Sequence, residues 1–213
     1  AMIYSVIVKI GVDILVALGV FVLGCVAVML LHLFGTMSLW IKFWTQRSPA
    51  QVWKDMRAVL ITAFSTSSSN ATLPAALACA KDTLKVQPSV AGFVLPLGTT
   101  MNMSGTALYE GCVVLFVAQV FGVDLTASQQ ITLLLLSVLS AVAVAGIPGG
   151  SLPLIAGLLS TFGIPPEGIG IVLGADRILD MTRTMTNVGA DLVTTLVVDA
   201  QVARAEAEAG SAG

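Results

Sequence analysis

The stretch Asp176-Arg177-Ile178-Leu179-Asp180-Met181-Thr182-Arg183-Thr184-Met185-Thr186-Asn187-Val188-Gly189-Ala190-Asp191 decides how this chain folds. Asp176, Asp180, Arg183, Asn187 and Asp191 are spaced 4, 3, 4 and 4 apart, which on a helix aligns them in one polar stripe. Their surroundings make the stripe unusual. Between Val86 and Ala175 the only charged residues are Glu110, Asp124 and Glu167, and then three carboxylates and two guanidinium groups fall within 16 positions. In a bilayer such groups are costly unless they pair or face a polar cavity, so the stripe reads as a substrate or ion site. The competing reading is a soluble amphipathic helix with a solvated face.

Composition weighs against that rival. Of 213 residues, 56% are hydrophobic and only 10% charged, where a soluble domain carries about 25% charged residues. The expected class is an all-α membrane protein in contact with the lipid bilayer. A net charge of −2, with no groove-like patch of basic residues and aromatics, gives no reason to expect a nucleic-acid partner. Cys25, Cys79 and Cys112 are odd in number, far apart and set in apolar runs, and read as small core residues rather than a disulfide or zinc set. No activated nucleophile with a base, metal-ligand cluster or phosphate loop is apparent, so no catalytic residues are assigned. The chain starts Ala1-Met2-Ile3 without a basic region before its apolar stretch, and no cleavable signal peptide is expected. Residues 200–213, rich in Ala, Glu and Gly, read as a disordered tail.

The chain divides into five membrane segments. Residues 14–41 form an apolar run long enough to span, since a span needs about 20 residues. His32 near its end reads as an interfacial or packed residue rather than a ligand. Lys42, Arg47, Lys54 and Arg57 against the lone acid Asp55, flanked by Trp40, Trp44 and Trp53, mark the next loop as cytoplasmic. Residues 51–85 read as a first re-entrant hairpin. Its first arm, Gln51 to Phe64, is about 20 Å long, too short for a core of about 30 Å. It turns at Ser65-Thr66-Ser67-Ser68-Ser69-Asn70, residues that prefer caps and turns. Residues 89–123 form a spanning helix broken over Gly98 to Thr106, and such a break survives at membrane depth only where it lines a cavity or is buried in protein. Residues 128–163 form a second hairpin, entering from outside and turning at Ala145-Gly146-Ile147-Pro148-Gly149-Gly150-Ser151. Residues 168–199 form the last helix, which carries the stripe. Leu73-Pro74-Ala75-Ala76 and Leu152-Pro153-Leu154-Ile155 follow the two turns in corresponding positions. Interrupted segments paired in this way mark the binding site of an inverted-repeat secondary transporter.

Four motifs in order carry a family resemblance: Ser67-Ser68-Ser69 with Ala71-Thr72-Leu73-Pro74; Asn102-Met103-Ser104-Gly105-Thr106; Ala145-Gly146-Ile147-Pro148-Gly149; and Asp180-Met181-Thr182-Arg183-Thr184 with Asn187 and Asp191. Together they closely resemble the dicarboxylate/amino acid:cation symporter family, which includes bacterial glutamate and aspartate transporters and the excitatory amino acid transporters. The resemblance implies that residues 1–199 are part of a mobile, elevator-type transport domain. The N-terminal scaffold half of the family, its homotrimer contacts and one further transport-domain helix would lie outside this chain. It also implies a multi-pass protein of a bacterial inner membrane.

The resemblance implies a substrate site made of Ser68, Ser69, Thr106, Gly146, Ile147, Gly149, Asp180, Arg183, Thr184 and Asn187. Arg183 would hold the side-chain carboxylate of the substrate, matching it with a planar fork. Asp180 would accept from its amine, and Asn187 and Thr106 would complete the hydrogen bonding. Sodium is the implied coupling ion, with no organic cofactor. One sodium site falls to Gly98, Asn102, Asn187 and Asp191, and a second to carbonyls at Thr100, Ala141, Val142 and Val144. A third usually needs an aspartate where this chain has Ser104, and Gly189-Ala190 replaces a more usual Thr-Gly before Asp191. One cation and one anion in the site suit an acidic amino acid. A dicarboxylate without an amine would leave Asp180 facing negative charge, and a neutral amino acid would leave Arg183 unpaired. Sodium-coupled symport of L-aspartate or L-glutamate therefore leads. The alternatives are a C4-dicarboxylate symporter, a non-transporting chain that binds substrate or associates with full-length subunits, and a membrane enzyme. The competing reading of the pair is that Asp180 and Arg183 merely neutralise each other at i,i+3.

Overall fold

The computed structural model describes residues 13–143 and 148–211. Every regular element among them is helical. Helix α1 (Asp13–Leu30) continues through wider π-helical turns at Leu31–Thr36 and Ile41–Thr45, with Met37–Trp40 between them. The resulting rod, Ile14–Thr45, has a mean hydropathy of 3.0 over its most apolar window, of which only 22% is buried. It is long enough to cross a bilayer with most of its surface left for lipid or a neighbour. Gln46 ends it in a left-handed conformation, φ 57°.

Helix α2 (Pro49–Thr66) starts with proline in its first turn, where the missing N–H costs nothing. It is two residues longer at each end than the sequence indicates, or about 27 Å. Ser67, at φ 51°, stops it, and Ser68 caps α3 (Ser69–Ala78) by accepting from Ala71 N at 3.2 Å. The two arms pack together as a hairpin, which ends in a π-turn at Cys79–Thr83. Helices α4 (Pro88–Met101) and α5 (Ser104–Val120) realise the broken segment, with the break confined to Asn102 and Met103. Helices α6 (Ala127–Ala143) and α7 (Leu152–Thr161) form a second hairpin. The segment 144–147 at its tip lies outside the described residues.

The final segment differs from expectation at both ends. It is not one helix from residue 168: a 3-10 turn at Pro166–Gly168 and a short α8 (Ile169–Val172) precede α9 (Asp176–Ser211). Gly174, a weak helix former, lies in the interruption. At the other end α9 does not stop at Asp199 to leave a disordered tail. Ala, Glu and Arg are strong helix formers and carry it to Ser211. Arg204 in this extension donates to Trp44 O at 3.1 Å, and Asp199 just before it accepts from Gln87 N at 2.9 Å, ahead of Pro88.

The apolar core forms two main clusters. One joins hairpin 1, α4 and the later turns of α9, including Val188, Leu192 and Leu196. The other joins Cys25 and Met29 of α1 to α5, α7 and Leu179. Helix α9 contributes to both, and its polar stripe runs from one to the other. Helices α1 and α5 lie side by side in a register read from Phe21 stacked on Phe116, ring centroids 4.4 Å apart, and from His32 Nε2 bonded to Ser104 Oγ at 3.0 Å. Helix α5 meets α9 at Gly105, where an added Cβ would come within 2.7 Å of the Arg183 carbonyl oxygen and 2.9 Å of Thr186 Cβ. Backbone and a β-branched side chain cannot yield as the end of a long side chain can. Gly105→Ala is therefore expected to destabilise the protein by about 1–3 kcal/mol through overpacking. Gly92→Ala, on an exposed helical face with nothing within 4 Å, is expected to cause no loss. Thermal unfolding of the two variants in detergent checks the contrast.

Candidate substrate and cation site

The break between α4 and α5 leaves the first N–H groups of α5 without helical partners. Asn187 satisfies them from α9. Its Oδ1 accepts from Gly105 N at 2.8 Å and Thr106 N at 3.3 Å, while its Nδ2 donates to Thr106 Oγ1 at 2.9 Å. Asn187 is thus a helix cap supplied by a different helix, and it fixes the broken segment against the stripe. One turn further along α9, Asp191 faces the end of α4. Asn102 Nδ2 donates to Asp191 Oδ1 at 3.0 Å and to Thr194 Oγ1 at 3.3 Å. Gly98 makes room for that carboxylate, since a Cβ there would lie 2.5 Å from Asp191 Oδ1. A carboxylate, a side-chain amide, a hydroxyl and nearby backbone therefore converge at one helix break, and their oxygens are the kind of donor that a hard cation takes.

One turn before Asn187 on the stripe, two opposite charges pair with each other. Asp180 Oδ1 accepts from Arg183 Nε at 2.8 Å and Nη2 at 2.6 Å, and both residues are 3% exposed. Arg183 Nη1 donates to Ser151 Oγ on hairpin 2, and Gly149 N donates to Asp180 Oδ2 at 3.2 Å. The guanidinium also lies over the Tyr109 ring, 5.4 Å from its centroid, while Tyr109 Oη donates to Asp176 at 2.5 Å. Buried charges are tolerated because these partners satisfy them.

The structure gathers much of the sequence-derived set. Thr106 and Asn187 bond directly; Gly149 joins Asp180 and Arg183; Gly98, Asn102 and Asp191 meet. Thr184 is buried on α9, and Ser68 and Ser69 are buried at the turn of hairpin 1, whose return arm packs on α9. Ala141 and Val142 line a cavity of about 560 Å³ together with Asn102, Met103, Ser104 and His32. Thr100 is exposed, its Oγ1 returned to Leu97 O at 2.9 Å. Gly146, Ile147 and Val144 lie outside the described residues. Sequence reading missed Ser151, Tyr109 and Thr194 as neighbours of the charges. Tyr109 lies three residues after Thr106, on the same face of α5, a signal that was available. The sequence gives no such signal for Ser151. Glu110, beside Tyr109, is completely buried.

Residues 1–201 match the sodium:dicarboxylate symporter family. Over 182 residues, 85% of this chain, the sequence is 38% identical to excitatory amino acid transporter 4 of Mus musculus, of which it covers 32%. It is 36% identical over 180 residues to the proton/sodium-glutamate symport protein of Bacillus caldotenax, covering 84% of this chain and 42% of that protein. It is 35% identical over 195 residues to excitatory amino acid transporter 1 of Ambystoma tigrinum, covering 92% and 36%. The chain thus spans roughly a third to two-fifths of the length of these relatives.

The cross-helix cap yields a stability prediction. Asn187→Ala removes an acceptor from two buried N–H groups and a donor from Thr106. Each buried group left unmatched costs about 1–3 kcal/mol. The variant is expected to lose at least about 2 kcal/mol, seen as a lower unfolding temperature together with faster amide exchange at Gly105 and Thr106.

Proposed function

The chain belongs to the sodium:dicarboxylate symporter family, and we propose on that premise that it carries the binding half of a sodium-coupled symporter for an acidic amino acid. Members of this family are multi-pass membrane proteins, and two helices here, Ile14–Thr45 and Pro88–Val120, are long and apolar enough to cross a bilayer. The observation that carries the reading is the buried Asp180–Arg183 pair at the foot of hairpin 2, with Asn187 one turn on and the Asn102–Asp191 pair one turn beyond that. L-Aspartate and L-glutamate each bring two carboxylates and one ammonium. One carboxylate answers Arg183 in a planar, charge-assisted contact, and the ammonium answers Asp180. A ligand of matching charge separates the pair without leaving either member alone, which a neutral amino acid cannot do.

Sodium enters as a co-substrate. Asp191 would supply the charge, and turning the Asn102 amide by half a turn would offer its oxygen in place of its nitrogen. Carbonyls near Gly98 and Thr100, and those of Ala141 and Val142, would fill out oxygen-rich sites. Asn187 links the two functions, because it caps α5 between the cation residues and the charged pair. An ion that draws Asn102 and Asp191 together also sets the N-terminus of α5, where Thr106 faces the substrate. Each ligand then favours the arrangement that the other needs, which is the thermodynamic content of coupling. In the whole transporter the two hairpins would be re-entrant, and the unit would move as a body against a scaffold in a homotrimer.

The roles divide in a way that substitution resolves. Arg183→Cys is expected to weaken L-aspartate binding by at least about 100-fold, the scale of a lost buried charge-assisted contact, with little change in the sodium concentration needed to protect Asp191 and Asn102 from amide exchange. Asp191→Asn is expected to leave weak L-aspartate binding that no longer responds to sodium. Isothermal calorimetry at several sodium concentrations reads the L-aspartate binding of both variants, and hydrogen exchange reads the sodium protection. Retained tight binding in Arg183→Cys contradicts the assignment.

A further inference from the structure

Among the described residues, hairpin 2 is hydrogen-bonded to α9 at two points, and both fall on the buried ion pair: Gly149 N on Asp180 Oδ2 and Arg183 Nη1 on Ser151 Oγ. Ser151 is completely buried, immediately before the first residue of α7. The guanidinium offers five N–H groups in a fixed fork. Asp180 occupies the Nε and Nη2 edge. A second carboxylate can dock side-on only along an edge that includes Nη1, and there the Ser151 hydroxyl already sits. The Tyr109 ring lies against the guanidinium, its centroid 5.4 Å from Cζ.

We propose that Ser151 is an internal stand-in for the substrate carboxylate. Its hydroxyl holds Arg183 Nη1 while the site is empty, and an arriving carboxylate takes that N–H from it. This rests on the reading of Arg183 as the carboxylate-binding residue. A neutral hydroxyl is a weaker acceptor than a carboxylate, since charge-assisted hydrogen bonds are roughly twice as strong as neutral ones. The exchange therefore runs forward with an anionic ligand and back when it leaves. A neutral ligand gains nothing from it. Ser151 is a positioning residue that acts through Arg183, and it makes the position of the hairpin 2 tip depend on whether an anion occupies the site. Without the hydroxyl, a buried N–H of a cation loses its acceptor, and the empty site becomes less stable than the filled one.

Ser151→Ala and Ser151→Thr, made in the intact chain, separate this from a merely structural role. Hydrogen exchange of Gly149 to Ile155 is measured without ligand, and calorimetry follows L-aspartate in sodium. In Ser151→Ala, tip exchange is expected to rise about ten-fold while α6 and the end of α7 stay protected, and L-aspartate affinity is expected to rise by a similar factor. Ser151→Thr keeps the hydroxyl and is expected to behave as the parent. Unchanged tip exchange in Ser151→Ala, or faster exchange along the whole of α6 and α7, overturns the proposal. So does equal L-aspartate affinity in parent and Ser151→Ala. Faster tip exchange with no L-aspartate binding in any variant supports the Ser151–Arg183 contact and overturns the acidic-substrate reading instead.

Discussion

A charge buried among apolar helices must find a partner, and the architecture follows from where those partners are. The chain has few charged residues, yet α9 carries Asp180, Arg183 and Asp191 with almost no exposure. Desolvating such groups costs several kcal/mol each unless opposite charges and hydrogen bonds replace water. Asp180 and Arg183 satisfy one another, hairpin 2 supplies Gly149 and Ser151, and the α4–α5 break supplies Asn102 to Asp191. Irregular backbone occurs where the stripe needs donors, and the stripe supplies Asn187 where the irregular backbone needs an acceptor. Each feature would be destabilising without the other.

Under the proposed function, this mutual dependence would let a static arrangement support coupling. Asp191 and the charged pair lie about two turns apart on one helix, and Asn187 between them is bonded to the first residues of α5. Displacement at Asn102 and Asp191 cannot leave the start of α5 unmoved, and Thr106 is part of that start. Small residues allow this contact: Gly98 admits the Asp191 carboxylate and Gly105 admits the backbone at Arg183. Under the proposed function, a ligand at either end would act on the same few hydrogen bonds.

Much of this was legible in the sequence, for stated reasons. The 4-3-4-4 spacing of the stripe, the serine turn and the Asn102 break each rest on local rules of periodicity, capping and chain reversal, and each element appears in the structure. What was not legible was tertiary or cumulative. Ser151 looked like one more turn residue, because nothing local indicates which guanidinium its hydroxyl will meet. The pairing of Asp180 with Arg183 was visible as an i,i+3 possibility, but its dependence on hairpin 2 was not. Residues 200–211 were misread because their small residues resemble a linker, although Ala, Glu and Arg in sequence favour helix. The break at residues 173–175 was missed because a single glycine is weak evidence against a long helix.

The central claim is that this set of residues binds an acidic amino acid together with sodium. Calorimetric titration of the detergent-purified, folded chain with L-aspartate, succinate and L-alanine, at zero and at high sodium, tests it most directly. The account predicts heat of binding for L-aspartate alone, with an affinity that rises steeply with sodium. Equal affinity at both sodium concentrations, or binding of succinate as tight as that of L-aspartate, would contradict it.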